Sequence, residues 1–216
     1  MYSFGKQTFI ALTLIALLGA GCTPTSKSGT TTTPAAPTND AATAQPDVQA
    51  KQEDTTMSGF PGVLPTEEMT GKVIHISTPK GDIVFELYGD TAPKAVSNFI
   101  ALTKKGFYNG LTFHRREEGF VIQGGDPAGN GTGGPGYTFE DELTDSHNYD
   151  RGIVAMANRG PDTNGSQFFI LLADYPLPKQ YTIFGKVLSG LDVVDKIAVG
   201  DVMTTVSVED APVVTQ

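Results

Sequence analysis

The chain has 216 residues, 39% of them hydrophobic, with 25 glycines and 14 prolines, which suits one globular domain plus additional segments and many short strands joined by turns. A formal net charge of −9 and a pI near 4.7 would repel a polyanion, which excludes nucleic acid as a partner. Three histidines far apart in sequence and a single cysteine leave no metal-ligand spacing, so neither a metal nor another cofactor is expected.

At the N-terminus Lys6 marks a weak positive region and Phe9 to Gly21, "FIALTLIALLGAG", forms the apolar part of an export signal, too short to span a membrane. The run closes on small residues before Cys22, and "LGAGC" resembles the bacterial lipobox, with Gly19 where leucine is more usual. That resemblance implies removal of residues 1–21 and lipidation of Cys22. The protein would then be exported and lipid-anchored to the bacterial cell envelope, on the outer face of the cytoplasmic membrane or the periplasmic side of an outer membrane. Residues 22–70, rich in Thr, Pro and Ala and poor in large apolar side chains, predict a disordered tether that lets the domain stand off the membrane. The folded domain is expected over 71–209, leaving 210–216 as a tail.

Within that domain, Val73–Ser77 and Ile83–Leu87, separated by Pro79, Lys80, Gly81 and Asp82, predict a hairpin. The period then changes: Val96, Phe99, Ile100 and Thr103 share one helical face, with Pro93 near the first turn and Gly106 as the stop. Further strands are expected at Leu111–Arg115, Phe120–Gln123, Gly152–Ala157, Gln167–Leu172, Thr182–Val187 and Val202–Val208, bounded by turn residues. A second short helix, "GLDVVDKIA", places Leu191, Val194 and Ile197 on one face. So many strands with so few crossovers predict an all-β fold, an antiparallel sheet closing on itself with helices at its open ends; a sandwich fits the same pattern.

"GNGTGG", Gly129 to Gly134, matches a dinucleotide fingerprint only formally, because Pro135 and Gly136 follow where a helix should open. It reads as a loop whose glycines permit positive φ. Ser166 has no nearby base to activate it, and Glu140, Asp141 and Glu142 read as a solvated acidic turn.

"FHR…GFVIQGGD", "GTGG", "FEDE", "MAN.GP.TNGSQFFI" and "FGKV", in this order and spacing from about Lys72 to Val208, resemble the cyclophilin family of peptidyl-prolyl cis-trans isomerases. The resemblance implies a closed eight-stranded antiparallel barrel capped by two helices, acting as a monomer on proline-containing segments of exported proteins without a cofactor. It implies Arg115 as catalytic donor, Gln123 as positioner of the substrate backbone, and Phe120, Val121 and Phe169 as the proline pocket. Ala157 and Asn158 would line the adjoining groove and Gln167 support its floor, with Leu177 and Tyr181 standing where the family often has tryptophan or histidine. Arg116, Glu117 and Glu118 depart from the family by charging the turn beside the site. A non-catalytic peptide-binding or chaperone module on the same scaffold is the alternative.

Overall fold

The computed structural model describes residues 59–211; the expected signal peptide, Cys22, most of the tether and the last five residues lie outside them. Residues 59–70 are already packed, ahead of the expected start at Gly71. Phe60 lies 5.3 Å from Phe139 between ring centroids, and Leu64 donates its amide to Ser97 Oγ at 2.8 Å. A single 3₁₀ turn, Thr66–Glu68, follows. Phe60, Leu64 and Met69 reach the main core together, but their irregular spacing carries no period that a sequence pattern would reveal.

The expected hairpin is present as β1 (Lys72–Thr78) and β2 (Gly81–Leu87). After helix α1 (Pro93–Lys104) come β3 (Arg115–Glu117), β4 (Val121–Gly124), β5 (Ile153–Met156), β6 (Phe168–Leu171) and β7 (Ile183–Ser189), then α2 (Leu191–Val194) and β8 (Thr205–Asp210). All ladders are antiparallel, in the order β3-β4-β6-β5-β7-β2-β1-β8. The expected eight-stranded antiparallel sheet with two helices is therefore found, but it has two ends, β3 and β8, in place of a continuous closed ladder. The segments preceding these end strands are joined by Gly110 N to Met203 O at 2.8 Å and Phe113 N to Asp201 O at 2.9 Å.

Two expected strands are displaced. Leu111–His114 makes only the isolated bridge Thr112–Val202, and the strand begins at Arg115, because the register of β3 is set by pairing with β4 and not by its own apolar content. The last strand starts at Thr205, beyond the same bridge. The second helix is a single turn after Gly190, although Val194 and Ile197 are buried as expected.

Strands β4, β5 and β6 are buried on both faces. Alternation sends Ile122, Val154, Met156, Phe168 and Ile170 into the main core, where Phe99 of α1 meets Phe85, Tyr108, Phe168 and Phe184. The opposite face carries a second apolar cluster of Val121, Tyr149, Ile153, Ala155, Phe169, Leu171 and Ile183. This outer cluster is the base on which the site is built.

Helix α1 starts at Pro93 after Ala92, which has no capping side chain. The cap comes from across the fold: Glu142 accepts from Lys94 N at 2.9 Å and from Ala95 N at 3.0 Å. Its own amide donates to Thr182 Oγ1 at 2.8 Å. The acidic turn is thus not merely solvated. Burial pushes the Glu142 carboxyl above its usual range while the two helix amides act against that shift. Replacing Glu142 by Ala should destabilise the domain by about 1–2 kcal/mol, the usual loss for a helix cap, read as a lower urea midpoint at unchanged m-value.

Candidate active site

One row of paired residues crosses five strands: Arg115 opposite Gln123, Gln123 opposite Phe169, Phe169 opposite Ala155, and Ala155 opposite Ile183. Period-2 alternation puts all five on the outer face. The row changes from cationic at the sheet edge, through one amide, to fully apolar. Beside it opens a cleft of about 190 Å³ lined by Arg115, Phe120, Val121, Gln123, Ala157, Asn158, Phe169, Leu177 and Tyr181. Every peptide-site residue expected from sequence lines this cleft except Gln167, which is buried and lines the adjoining glycine-rich groove.

The polar groups are held by a relay. Arg115 Nη1 donates to Gln123 Oε1 at 2.8 Å, and Gln123 Nε2 donates to Gln167 Oε1 at 2.9 Å. Gln167 Nε2 then donates to the carbonyls of Gly133 at 2.8 Å and Gly131 at 3.1 Å. Both amides are buried, so an unpaired group would be costly and the relay has one satisfied orientation. Glu117 grips the other side of the guanidinium, accepting from Nε at 3.2 Å and from Nη2. N–H groups on Nη1 and Nη2 remain for a ligand. The guanidinium carbon also sits 6.0 Å from the centre of the Phe120 ring, at the outer limit of a cation–π contact.

The charged turn after Arg115 is therefore largely paired within itself. Glu117 takes Arg115, and Glu118 takes Arg116, whose Nη1 reaches Ile197 O at 2.7 Å.

The relay ends on a loop built by Asp126, which accepts from the amides of Ala128, Asn130 and Gly131. Burial opposes its charge, yet these three amides together hold its carboxyl below the usual range. A Cβ at Gly133 would come 2.1 Å from Asp126 Oδ1, so glycine there is required by close approach. Gly129, Gly131 and Gly136 have positive φ, as expected of a loop.

The opposite wall is fixed by Asp141. Its carboxylate accepts from Asn158 Nδ2 at 3.2 Å, Asn164 Nδ2 at 2.8 Å and the amide of Asp162 at 2.9 Å. Asn158 Nδ2 also reaches Gln180 O at 2.8 Å. Among the described residues neither the amide nor the carbonyl of Asn158 has a partner in the fold, whereas the amide of Ala157 bonds Gln167 O at 3.0 Å. Asn158 lines the cleft. Tyr181 packs edge-on against Phe169 at 5.5 Å, and its backbone is pinned at both amide and carbonyl by the Tyr149 hydroxyl. Ser166 is fully buried and donates to Gly125 O at 2.6 Å, which removes it as a nucleophile.

Sequence reasoning missed Asp126, Asp141 and Glu142 as organisers of the site. For Asp126 the signal was available, since an acid ahead of "PAGNG" suits a turn whose amides fold back on its carboxylate. For the other two it was not, because their partners lie 17 to 48 residues away in sequence.

A guanidinium is thus pinned by Gln123 and Glu117 at the edge of a small cleft whose other walls are largely apolar. Residues 73–216 match the model of the family described as cyclophilin type peptidyl-prolyl cis-trans isomerase/CLD, and the chain belongs to that family. It is 52% identical over 135 residues to a peptidyl-prolyl cis-trans isomerase of Helicobacter pylori, covering 61% of this chain and 83% of that protein. It is also 52% identical over 129 residues to peptidyl-prolyl cis-trans isomerase B of Bacillus subtilis, covering 59% and 90%. Among solved structures, a cyclophilin type isomerase of Cryptosporidium parvum in the presence of the dipeptide Ala-Pro superposes with a TM-score of 0.60 at 38% identity. That match covers 64% of this chain and all but 1% of the other.

Gln167→Leu should strand Gln123 Nε2 and both loop carbonyls. Chemical denaturation is expected to show a loss of about 1–3 kcal/mol, the cost of unpaired buried polar groups.

Proposed function

We propose that the chain isomerises X-Pro bonds in extended segments of exported proteins, with Arg115 as the group that stabilises the twisted amide. The barrier is amide resonance, about 18–20 kcal/mol, and it leaves uncatalysed exchange taking roughly tens to hundreds of seconds. No covalent bond forms or breaks, so only interactions stronger in the twisted state than in either planar state accelerate the reaction. Twisting frees the prolyl nitrogen's lone pair to accept a hydrogen bond. Arginine stays protonated and donor-rich at any relevant pH, and the relay orients it in advance, so that little reorganisation accompanies the twist.

The remaining roles follow from placement. Phe120, Val121 and Phe169, with Leu177 and Tyr181 on the rim, would take the pyrrolidine ring. The free amide and carbonyl of Asn158 would bond the peptide strand beside Ala157. Gln123 would hold the guanidinium and use its spare amide capacity on the substrate backbone. The presence of Ala-Pro with the Cryptosporidium parvum relative supports proline-containing peptides as occupants here. The export signal and the lipobox-like "LGAGC" support a site outside the cytoplasmic membrane, anchored through lipid on Cys22, with residues 23–58 as the spacer. The observation that carries the reading is the guanidinium of Arg115 fixed by Gln123 and Glu117 at the mouth of the apolar cleft.

In a proline-peptide exchange assay, Arg115→Ala should lower kcat/KM by about 10²–10³, as loss of a preorganised donor does elsewhere, while X-Pro peptide affinity changes only a few-fold. Arg115→Lys should not restore the rate, because a lysine cannot reach Gln123 and Glu117 together. Full activity in Arg115→Ala would reduce Arg115 to a surface charge, and no activity in the parent protein would leave a peptide-binding module.

A further inference from the structure

Among the described residues Val63, Leu143, Tyr175, Leu188 and Val199 stand exposed despite large apolar side chains. Scattered singly, such residues need no explanation. Tyr175 differs because it continues the cleft. Although 45% exposed, its ring lies 4.5 Å from that of Phe120 at an interplanar angle of 43°, and Phe120 is a wall of the cleft. Its carbonyl accepts from the amide of Leu177 at 2.8 Å, and Leu177 is a second wall.

Tyr175 is also held in place. Its amide donates to Tyr149 O at 2.9 Å. Tyr149 is buried, its hydroxyl bonds both the amide and the carbonyl of Tyr181, and Lys179 Nζ lies 5.5 Å from its ring centre. Phe120 is mounted next to it, since its carbonyl accepts from the amide of Leu172 at 2.8 Å, where β6 runs into the loop that carries Tyr175. The two rings therefore form one shelf on a pinned backbone. An aromatic side chain so mounted has two χ angles and loses little freedom when a ligand covers it.

The shelf lies on one flank of the cleft. The glycine-rich groove, about 430 Å³ in volume and lined by Gly131–Thr138, shares Gln123, Ala157 and Asn158 with the cleft. Phe120 and Leu177 line the cleft and not the groove. A peptide that follows the groove and seats its proline in the cleft therefore meets Tyr175 on the other side of that proline.

Resting on the function proposed above, we infer that Tyr175 and Phe120 form a further subsite, which takes an aromatic side chain flanking the substrate proline on the side away from the groove. The site then selects X-Pro segments that carry a ring on that flank. The chemistry favours a ring over an aliphatic chain. Both gain from burial against the shelf, but aromatic pairs in offset or edge-on contact gain beyond their buried area, by about 2- to 12-fold in affinity.

The test titrates the full chain and its Tyr175→Ala and Tyr175→Phe variants by NMR with Ala-Ala-Pro-Ala, Ala-Phe-Pro-Ala and Ala-Ala-Pro-Phe, and follows cis-trans exchange in the same samples. In the parent, phenylalanine on one flank should tighten binding about 2- to 12-fold over the all-alanine peptide. Tyr175→Ala should abolish that gain and leave any gain on the other flank as it was. Tyr175→Phe should keep it, because the ring and not the hydroxyl makes the contact. The inference is overturned by no gain in the parent, by gains that survive Tyr175→Ala or vanish on both flanks, or by loss of the gain in Tyr175→Phe. The exchange rates decide the isomerase reading separately: acceleration in the parent sustains it whatever the affinities, and no acceleration of any of the three peptides defeats it even where the affinities bear out the shelf.

Discussion

The line of hydrogen bonds from Arg115 through Gln123 and Gln167 to the carbonyls of Gly131 and Gly133 is the constraint on which the site depends. Each member has its orientation set by the next, because a flipped amide would place oxygen against oxygen at a buried position. A guanidinium on a three-residue edge strand would otherwise sample many rotamers, at a cost of up to about 2 kcal/mol to order it. Here that ordering is already accomplished in the folded chain. Polarisation along the relay also strengthens its bonds relative to isolated ones.

This relay is possible because the sheet is covered on both faces where it passes. Inward side chains of β4, β5 and β6 join Phe99 and the helix in the main core, and outward ones form the second cluster under the cleft. Residue by residue, alternation decides which job a side chain has: Phe168 faces the core and Phe169 the cleft. A shift of one residue in the register of β6 would exchange them and destroy both. Longer-range carboxylates complete the frame. Asp126 shapes the loop at the end of the relay, Asp141 holds the wall containing Asn158, and Glu142 caps α1.

Much of this was legible in the chain. The hairpin and α1 follow from local period and punctuation, and the positions of Arg115, Phe120, Gln123, Asn158 and Phe169 follow from motifs whose spacing resembles one family. What was not legible depends on partners distant in sequence. β3 forms on Arg115, Arg116 and Glu117, which have no strand-like pattern of their own, because β4 supplies its pairing. Glu142 looked like part of a solvated acidic turn, since its role exists only when the start of α1 arrives beside it. Phe60, Leu64 and Met69 lie in a polar stretch that gave no period, yet the core extends to them. Continuity of the sheet between β3 and β8 depends on where two short segments bond, and no local pattern encodes that.

In the proposed catalysis, rotation about a tertiary amide is eased by a prefixed arginine donor and an apolar seat for the ring. The most direct measurement is the structure of the domain with an X-Pro peptide bound. The pyrrolidine is expected against Phe120, Val121 and Phe169, with an Nη of Arg115 within hydrogen-bond distance of the prolyl nitrogen or the carbonyl preceding it. A peptide whose proline lies instead along the Gly131–Thr138 groove, with the guanidinium of Arg115 turned from it, would remove Arg115 and the apolar cleft from the reaction.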